Sequence, residues 1–547
     1  MGIPSYFSHI IRKYTKILRN YQYFNKNNKP FTHLYMDCNS IIYDSYHTIS
    51  ETYNVDNEEL FEEKLVREVA TRIESYISII RPTNVLYISF DGVAPLAKME
   101  QQRTRRYKTN FISNINYDTI NTCDSKKWNT SSITPGTCFM EKLSNYIYFH
   151  FNHREKQYNV KNIYVSCSDK PGEGEHKLYT HIRQHDTNNS CIAVYGLDAD
   201  LIMLSIFHLK YCDNIYIFRE APEFLKNSIP IDVKNNTNEP YFLDIKYLSI
   251  SIINEMGCYD NNMNRIDDYV FMCFLLGNDF LPHFPSMNIR THGITVLLDI
   301  YKKYIGSNSN RFFICPNTKK IKWKYVKIFI QEIAKIENDL LKQEYFIRNK
   351  FDKRRFPETT TKDKEDVLLN SPIIYRFDEK YICPDEPQWE KRYYKNLFED
   401  NNVNIKDVCT NYLQGLEWVY KYYTSECPDW KWKYNYHYPP LFSDLCNIVP
   451  YFDTEFIQNK MSVPMVPYTQ LAYVLPKSNL HLLPKKIQGF LLDNYSELYP
   501  DKFNFKWAFC RYFWESHPLL PDIPIELLDR WNNQFILHCQ YTSNRIL

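Results

Sequence analysis

Five short runs of β-branched and aromatic residues, at 33–37, 85–90, 161–166, 191–195 and 214–218, are separated by stretches of helical periodicity, notably 60–80, 138–156 and 174–185. Strands that alternate with helices pair in one direction, so the expected fold class is α/β: a mostly parallel, twisted sheet flanked by helices. In such sheets ligands settle beyond the carboxyl ends of the strands. Asp37, Asp91, Asp198 and Asp200 all fall at or just past the end of one of these runs, so a single crevice can gather all four.

The chain has 547 residues and is 44% hydrophobic, enough for a large α/β unit and at least one further lobe, and this excludes a disordered or fibrous class. A helical pattern from Trp323 to Lys350 closes a first region, 1–351. A charged, Thr-rich stretch at 352–370 reads as a linker, and the second region, 371–547, is an aromatic-rich α+β unit packed on the first. Its aromatics are densest from Trp418 to Tyr438, and neither an internal repeat nor a long low-complexity tract is found.

The formal net charge is only +2, so any basic footprint must be local. The 15 cysteines lack paired CxxC spacing and no secretory signal is seen, which favours reduced thiols over disulfides or zinc. A cytoplasmic location is expected, with the nucleus left open. No apolar run approaches the roughly 18 residues that span a bilayer; Val270–Leu276 stops at Gly277, so no membrane partner is expected. Met1-Gly2 is followed at position 6 by Tyr6 where a myristoylation signal has Ser or Thr, so Gly2 reads as structural.

Glycine is scarce: 12 residues, where average usage gives roughly 38. Six of them, Gly92, Gly136, Gly172, Gly174, Gly196 and Gly277, lie in a few short motifs, most beside a carboxylate. The acidic motifs are YMDCNS with Asp37, FDGVAP with Asp91, PGEGEH with Glu173 and Glu175, GLDADLIML with Asp198 and Asp200, and LLGNDFLPH with Asp279. Singly, each acid has a structural role open to it: a helix cap, a partner for a helix dipole, or a turn. Together they repel, by roughly 4 kcal/mol for unit charges about 4 Å apart at an effective dielectric near 20. A set of oxygen ligands that needs cations favours hard ions, Mg²⁺ first and Mn²⁺ next. Two such ions suit phosphodiester hydrolysis without a Ser, Cys or His nucleophile.

These segments, with MGIPSYF, FDGVAPLAKMEQQRTRRY, ITPGTCFM and LQGLEWVYKYYTSECPDWKWKYNYHYPP, resemble the XRN family of 5′→3′ exoribonucleases in order and separation across nearly the whole chain. The resemblance implies a PIN-like 5′ nuclease core. It implies that Asp37, Asp91, Glu173, Glu175, Asp198, Asp200 and Asp279 hold two Mg²⁺ ions, with Mn²⁺ as a substitute. The implied reaction is processive hydrolysis of single-stranded RNA with a 5′-monophosphate to 5′-mononucleotides, in RNA decay.

Lys98, Gln102, Arg105 and Arg106 follow FDGVAP at helical spacing. By resemblance they form a pocket for the 5′-terminal phosphate that excludes a cap or triphosphate. Trp430, and behind it Trp432, is implied to stack on a base. Tyr43 stands where the family has His, and Leu96 where an Arg commonly follows FDGVAP. The segment from Arg106 to Ile133 leaves room for only a short projecting helix, and without a zinc knuckle or long C-terminal modules the chain reads as a catalytic core. The rival readings are a structure-specific 5′ DNA nuclease and a non-catalytic RNA-binding scaffold.

Overall fold

The computed structural model describes residues 2–3, 5–54, 57–119, 127–196, 198–220, 240–398, 403–458 and 462–543. Seven strands form one sheet: β1 (Leu18–Arg19), β2 (His33–Asp37), β3 (Val85–Ser89), β4 (Asn162–Ser166), β5 (Cys191–Tyr195), β6 (Asn214–Arg219) and β7 (Tyr241–Asp244), in the order β1-β7-β6-β5-β2-β3-β4. The five strands expected from the sequence, β2 to β6, are mutually parallel; β7 and then β1 are added antiparallel along the β6 edge. From β2 the chain steps outward to β3 and β4, then returns to β5 on the other side. This reversal opens a crevice at the carboxyl ends of β2 and β5.

The pleat sorts the central strands between two apolar clusters. Leu34 and Met36 of β2, with Ala193 and Tyr195 of β5, face one cluster; Tyr35, Ile192 and Val194 face the other. The helices used below are α1 (Tyr6–Lys13), α2 (Asn39–Ile49), α3 (Glu58–Ile80), α4 (Leu96–Thr119), α5 (Cys138–Phe151), α6 (Gly174–Gln184), α7 (Asp200–His208) and α8 (Ile245–Met256). Phe61, Leu65 and Val69 of α3 and Leu143 and Ile147 of α5 close the first cluster. Leu178 and Ile182 of α6, Leu201 and Leu204 of α7 and Leu248 and Ile252 of α8 close the second.

The pattern from Trp323 to Lys350 is two helices, α9 (Trp323–Ala334) and α10 (Glu337–Asn349), instead of one. The break turns Glu337 inward, where its carboxylate accepts from the Phe442 and Ser443 N–H groups at 2.8 and 3.0 Å. Within 352–370 lies a further helix, α11 (Thr361–Leu369), started by a capping box in which Thr360 and Asp363 exchange hydrogen bonds at 2.8 and 3.1 Å. The second region is mainly helical, with one small antiparallel pair, β8 (Phe505–Lys506) and β9 (His517–Pro518). Its helix α12 (Ile405–Thr424) supplies Leu413, Leu416, Trp418 and Val419 to the same cluster that lines the sheet.

Past Arg106, α4 runs on to Thr119, which is about 20 Å of helix. Its Phe111 packs against Phe503, Phe505 and Phe513 of the second region; residues 120–126, within the stretch expected to project, fall outside the described set. Among the described residues no helix is long and apolar enough to cross a membrane.

Candidate active site

Asp37 is the last residue of β2, paired in register with Ser89 of β3. Helix α2 starts at once, and the Asn39 side chain bridges to the next strand: its Oδ1 accepts from the Asp91 N–H at 3.1 Å and its amide donates to the Asp91 carboxylate. The other Asp91 oxygen accepts from the Gly174 N–H at 2.6 Å. A Cβ at Gly174 would lie 2.6 Å from Asp37 Oδ1 and 3.4 Å from Asp91 Oδ1, so only glycine lets α6 begin between these two acids. Glu173 precedes α6 and Glu175 lies in its first turn; Asp198 likewise precedes α7 and Asp200 opens it. Each doublet thus straddles a helix start, and its two side chains need not share a helix face.

Asp279 follows the positive-φ Gly277 and accepts from the Gly2 N–H at 3.0 Å. Gly2 also has a positive φ, and a Cβ there would collide with the Asp200 carboxylate, which gives the second residue of the chain a steric reason to be glycine. Lys98, in the first turn of α4, reaches Glu173 at 2.6 Å and Asp279 at 2.8 Å.

One ammonium does not balance this many carboxylates. Burial, then Asp91 and Asp198, push the Asp37 carboxyl well above the usual carboxylate range. Burial, Asp200 and Glu173 do the same to Glu175, and burial with Asp279 raises Asp200 to about 7. Glu173 is raised by burial against the pull of Lys98. Asp279 goes down, because against its burial Lys98, by both charge and hydrogen bond, acts together with other nearby cations including Arg105. Asp37 Oδ1 and Glu175 Oε2 are buried without a hydrogen-bond partner. Buried carboxylate oxygens left unmatched are what hard-cation ligation would satisfy, so the residues fit a Mg²⁺-type centre. Glu173, Glu175 and His176 also place ligand atoms within 4.8 Å of one another.

Sequence reasoning missed several supports. Tyr422 donates to Glu173 Oε1 at 2.8 Å and Tyr423 to Asp200 Oδ1 at 2.7 Å, both from α12. His176, its pKa held well below the ordinary value by burial and by Lys98, stacks on Tyr422 with ring centroids 3.6 Å apart. Both tyrosines lie in the aromatic-rich segment, where nothing in the spacing sets them apart from core residues.

The basic residues divide along α4. Lys98 stands among the acids, whereas Gln102 is buried and accepts from Gln470 at 3.2 Å. Arg106 donates to the Thr134 hydroxyl, and its Nε is buried without a partner. Burial lowers its pKa to about 10, with Tyr43 opposing and Arg105 reinforcing the shift, so Tyr43 and Arg105 both lie close enough to act on the Arg106 charge. Leu96 is a core residue whose N–H donates to the Trp430 carbonyl at 2.9 Å. Trp430 is half-buried. Trp432 is not available to a base: it is buried and stacks on Trp418 at 5.2 Å.

A family model described as the XRN 5′-3′ exonuclease N-terminus matches residues 1–221, and one described as the Xrn1 helical domain matches 259–388 and 384–531. The chain belongs to the XRN family. It is 26% identical to 5′-3′ exoribonuclease 2 of Candida albicans, over 96% of this chain and 71% of that protein. It is 27% identical to the 5′-3′ exoribonuclease 2 homolog of Drosophila melanogaster, over 95% and 69%. Against human 5′-3′ exoribonuclease 1 it is 27% identical over 96% of its own length and 33% of the relative's. In this XRN chain the matched N-terminal part carries six of the seven acids, and the helical part carries Asp279, Tyr422 and Tyr423.

Proposed function

We propose that this XRN chain is a 5′→3′ exoribonuclease that hydrolyses 5′-monophosphorylated single-stranded RNA to mononucleotides. The observation that carries this reading is the set of seven acids gathered beyond β2, β3 and β5, with two buried carboxylate oxygens unmatched. Asp37, Asp91, Glu173, Glu175, Asp198, Asp200 and Asp279 would hold two Mg²⁺ ions, or Mn²⁺ in their place. What such ions supply is charge to neutralise the scissile phosphate and to make a water nucleophilic near neutral pH.

The chain's own residues do the rest. Tyr422 and Tyr423 fix the orientation of Glu173 and Asp200 by donating to one oxygen of each, while the second oxygen of Glu173 meets Lys98. Lys98 holds a positive charge beside Glu173 and Asp279, where a phosphate oxygen would approach. Arg106, with Arg105 and the Thr134 hydroxyl near it, offers N–H donors to a terminal phosphate, and Tyr43 offers a ring face. A terminal phosphate seated there would direct hydrolysis from the 5′ end, and processive release of mononucleotides one at a time fits a role in RNA decay.

The test is direct. The purified chain is incubated with 5′-monophosphate and 5′-triphosphate RNA, in Mg²⁺ or in chelator, and the products are resolved. Mononucleotides appearing only from the monophosphate RNA and only with metal are expected. Intact RNA under every condition would sink the reading.

A further inference from the structure

From the acids a crevice of about 720 Å³ runs outward between α1 and the second region; Asp198 and Asp279 border it inside, and Arg290, Tyr512 and Trp514 border it outside. The Tyr512 and Trp514 rings stack, 4.2 Å between centroids and 16° between planes, and Trp514 is 46% exposed. The Arg511 guanidinium lies 4.6 Å from the Tyr512 ring and 4.7 Å from the Phe351 ring. Arg354 covers Phe351 at 4.9 Å, and Arg290 approaches Tyr512 at 5.8 Å. Trp514, Tyr512, Arg511, Phe351 and Arg354 thus form a continuous ladder leading away from the crevice, in which two stacked rings are followed by a guanidinium, a ring and a second guanidinium.

Its charge is not locally balanced. Glu515 pairs with Arg290 at 2.6 Å and accepts the Arg511 backbone N–H at 2.7 Å. Besides its ring contacts, the Arg511 side chain donates a long hydrogen bond to Asn370 Oδ1 at 3.4 Å. Among the described residues no ion pair is formed by Arg511 or Arg354. Burial and the neighbouring guanidiniums of Arg354, Arg348 and Arg290 pull the Arg511 pKa down, against Tyr512. Flat rings beside surplus cations, already ordered by stacking, match the alternating bases and phosphates of a single strand.

We propose that this ladder is a single-strand track that holds the stretch of RNA lying outside the crevice, with bases against Trp514 and Tyr512 and phosphates against Arg290, Arg511 and Arg354. The proposal rests on the reading of the centre as an exoribonuclease, which makes RNA the strand.

The experiment compares 3′-labelled, 5′-phosphorylated RNAs of 4 and 12 nucleotides by fluorescence anisotropy, with Ca²⁺ in place of Mg²⁺ and intactness checked on a gel. In the unmodified chain the 12-mer should bind more tightly than the 4-mer. Trp514→Ala should weaken the 12-mer by roughly 5- to 100-fold, Trp514→Phe should restore most of it, and Arg354→Ala should make 12-mer binding less sensitive to salt. Equal 12-mer affinity in Trp514→Ala, Arg354→Ala and the unmodified chain overturns the track. Should Trp514→Ala melt early, Arg354→Ala, at the solvent end, and Trp514→Phe still decide. Failure of the parent reading shows separately, as RNA left at full length by the unmodified chain in Mg²⁺.

Discussion

The hydroxyl of Tyr423 donates to Asp200 Oδ1 at 2.7 Å, joining residues 223 positions apart and tying the second region to the acid that opens α7. That hydrogen bond orients a carboxylate whose pKa burial and Asp279 raise to about 7 even with the bond in place. Removing it should loosen the centre without dismantling it. Tyr423→Phe is expected to raise the Mg²⁺ concentration needed for half-maximal activity by about 10- to 100-fold, the usual scale for a group that supports a metal ligand. The maximal rate at saturating Mg²⁺ should recover most of its value; a Mg²⁺ titration superimposing on that of the unmodified chain would count against the link.

The ligand acids themselves should be less forgiving. Asp91→Ala or Asp198→Ala is expected to cut RNA hydrolysis by more than about 100-fold, beyond the range seen for supporting groups, while the circular dichroism spectrum stays unchanged. Asp37→Asn should also be inactive. Because burial, Asp91 and Asp198 all disfavour an ionised carboxylate at this position, a neutral amide there should raise the melting temperature of the metal-free protein at neutral pH. A lower melting temperature would mean that the repulsion is relieved in some other way.

The pH dependence follows from the same groups. In the metal-free fold Asp37, Glu175 and Asp200 bind their protons more tightly than they would unfolded. The stability they contribute is full below the ordinary carboxylate pKa and is lost as pH rises through the folded value, about 7 for Asp200. Mg²⁺ has to displace those protons, so it binds weakly at low pH and strongly above neutrality. Melting curves with and without Mg²⁺ should nearly coincide at pH 5.5 and separate by several degrees at pH 8. A separation that is constant across that range would exclude raised acids at the metal centre.

Much of this centre was legible in the sequence. Central strands such as Leu34-Tyr35-Met36 must bury both faces, so their ends are marked, and Asp37 and Asp91 stand on those marks. The partners that arrive through tertiary contact were not legible. Tyr422 and Tyr423 belong to a helix that also buries Tyr412, Trp418 and Tyr420, and only packing against α6 and α7 distinguishes them from these core aromatics. Helical spacing likewise placed Lys98, Gln102 and Arg106 on one face. It could not tell that the first turn of α4 meets the acids while the third meets Thr134 and Tyr43. The pattern from Trp323 to Lys350 reads smoothly as one helix, but the chain breaks it after Ala334, and the second helix starts with Glu337 accepting two N–H groups from distant Phe442 and Ser443, a tertiary contact that periodicity does not show.

Away from the crevice, the second region is pinned by a buried carboxylate. Glu379 is 1% exposed and accepts from Arg348 Nε at 2.9 Å, Arg376 Nε at 2.7 Å and the Phe509 N–H at 2.9 Å. The two guanidiniums hold its pKa below the usual glutamate value despite its burial. Glu379→Ala strands both cations in the interior and should cost about 3–5 kcal/mol. Urea unfolding would show this as a lower midpoint with an unchanged slope. A midpoint within error of the unmodified chain would mean that water or Asp352, already 3.3 Å from Arg376, compensates.

Selectivity for the 5′ end should depend on Arg106. Its Nε is buried and lacks a partner, its Nη2 donates to Thr134, and Arg105 adds like charge beside it, so the guanidinium is held where an anion would relieve it. Charge-assisted hydrogen bonds of this kind are worth about 1.5–3 kcal/mol each, which corresponds to roughly 10- to 100-fold in rate. Arg106→Ala is therefore expected to reduce the ratio of degradation rates on 5′-monophosphate and 5′-hydroxyl RNA by that factor. Arg106→Lys should recover only part of it, since an ammonium cannot present the planar fork of donors. Rates on 5′-hydroxyl RNA should change little, because that end offers no phosphate to lose. An unchanged ratio in Arg106→Ala would move the phosphate site toward Lys98.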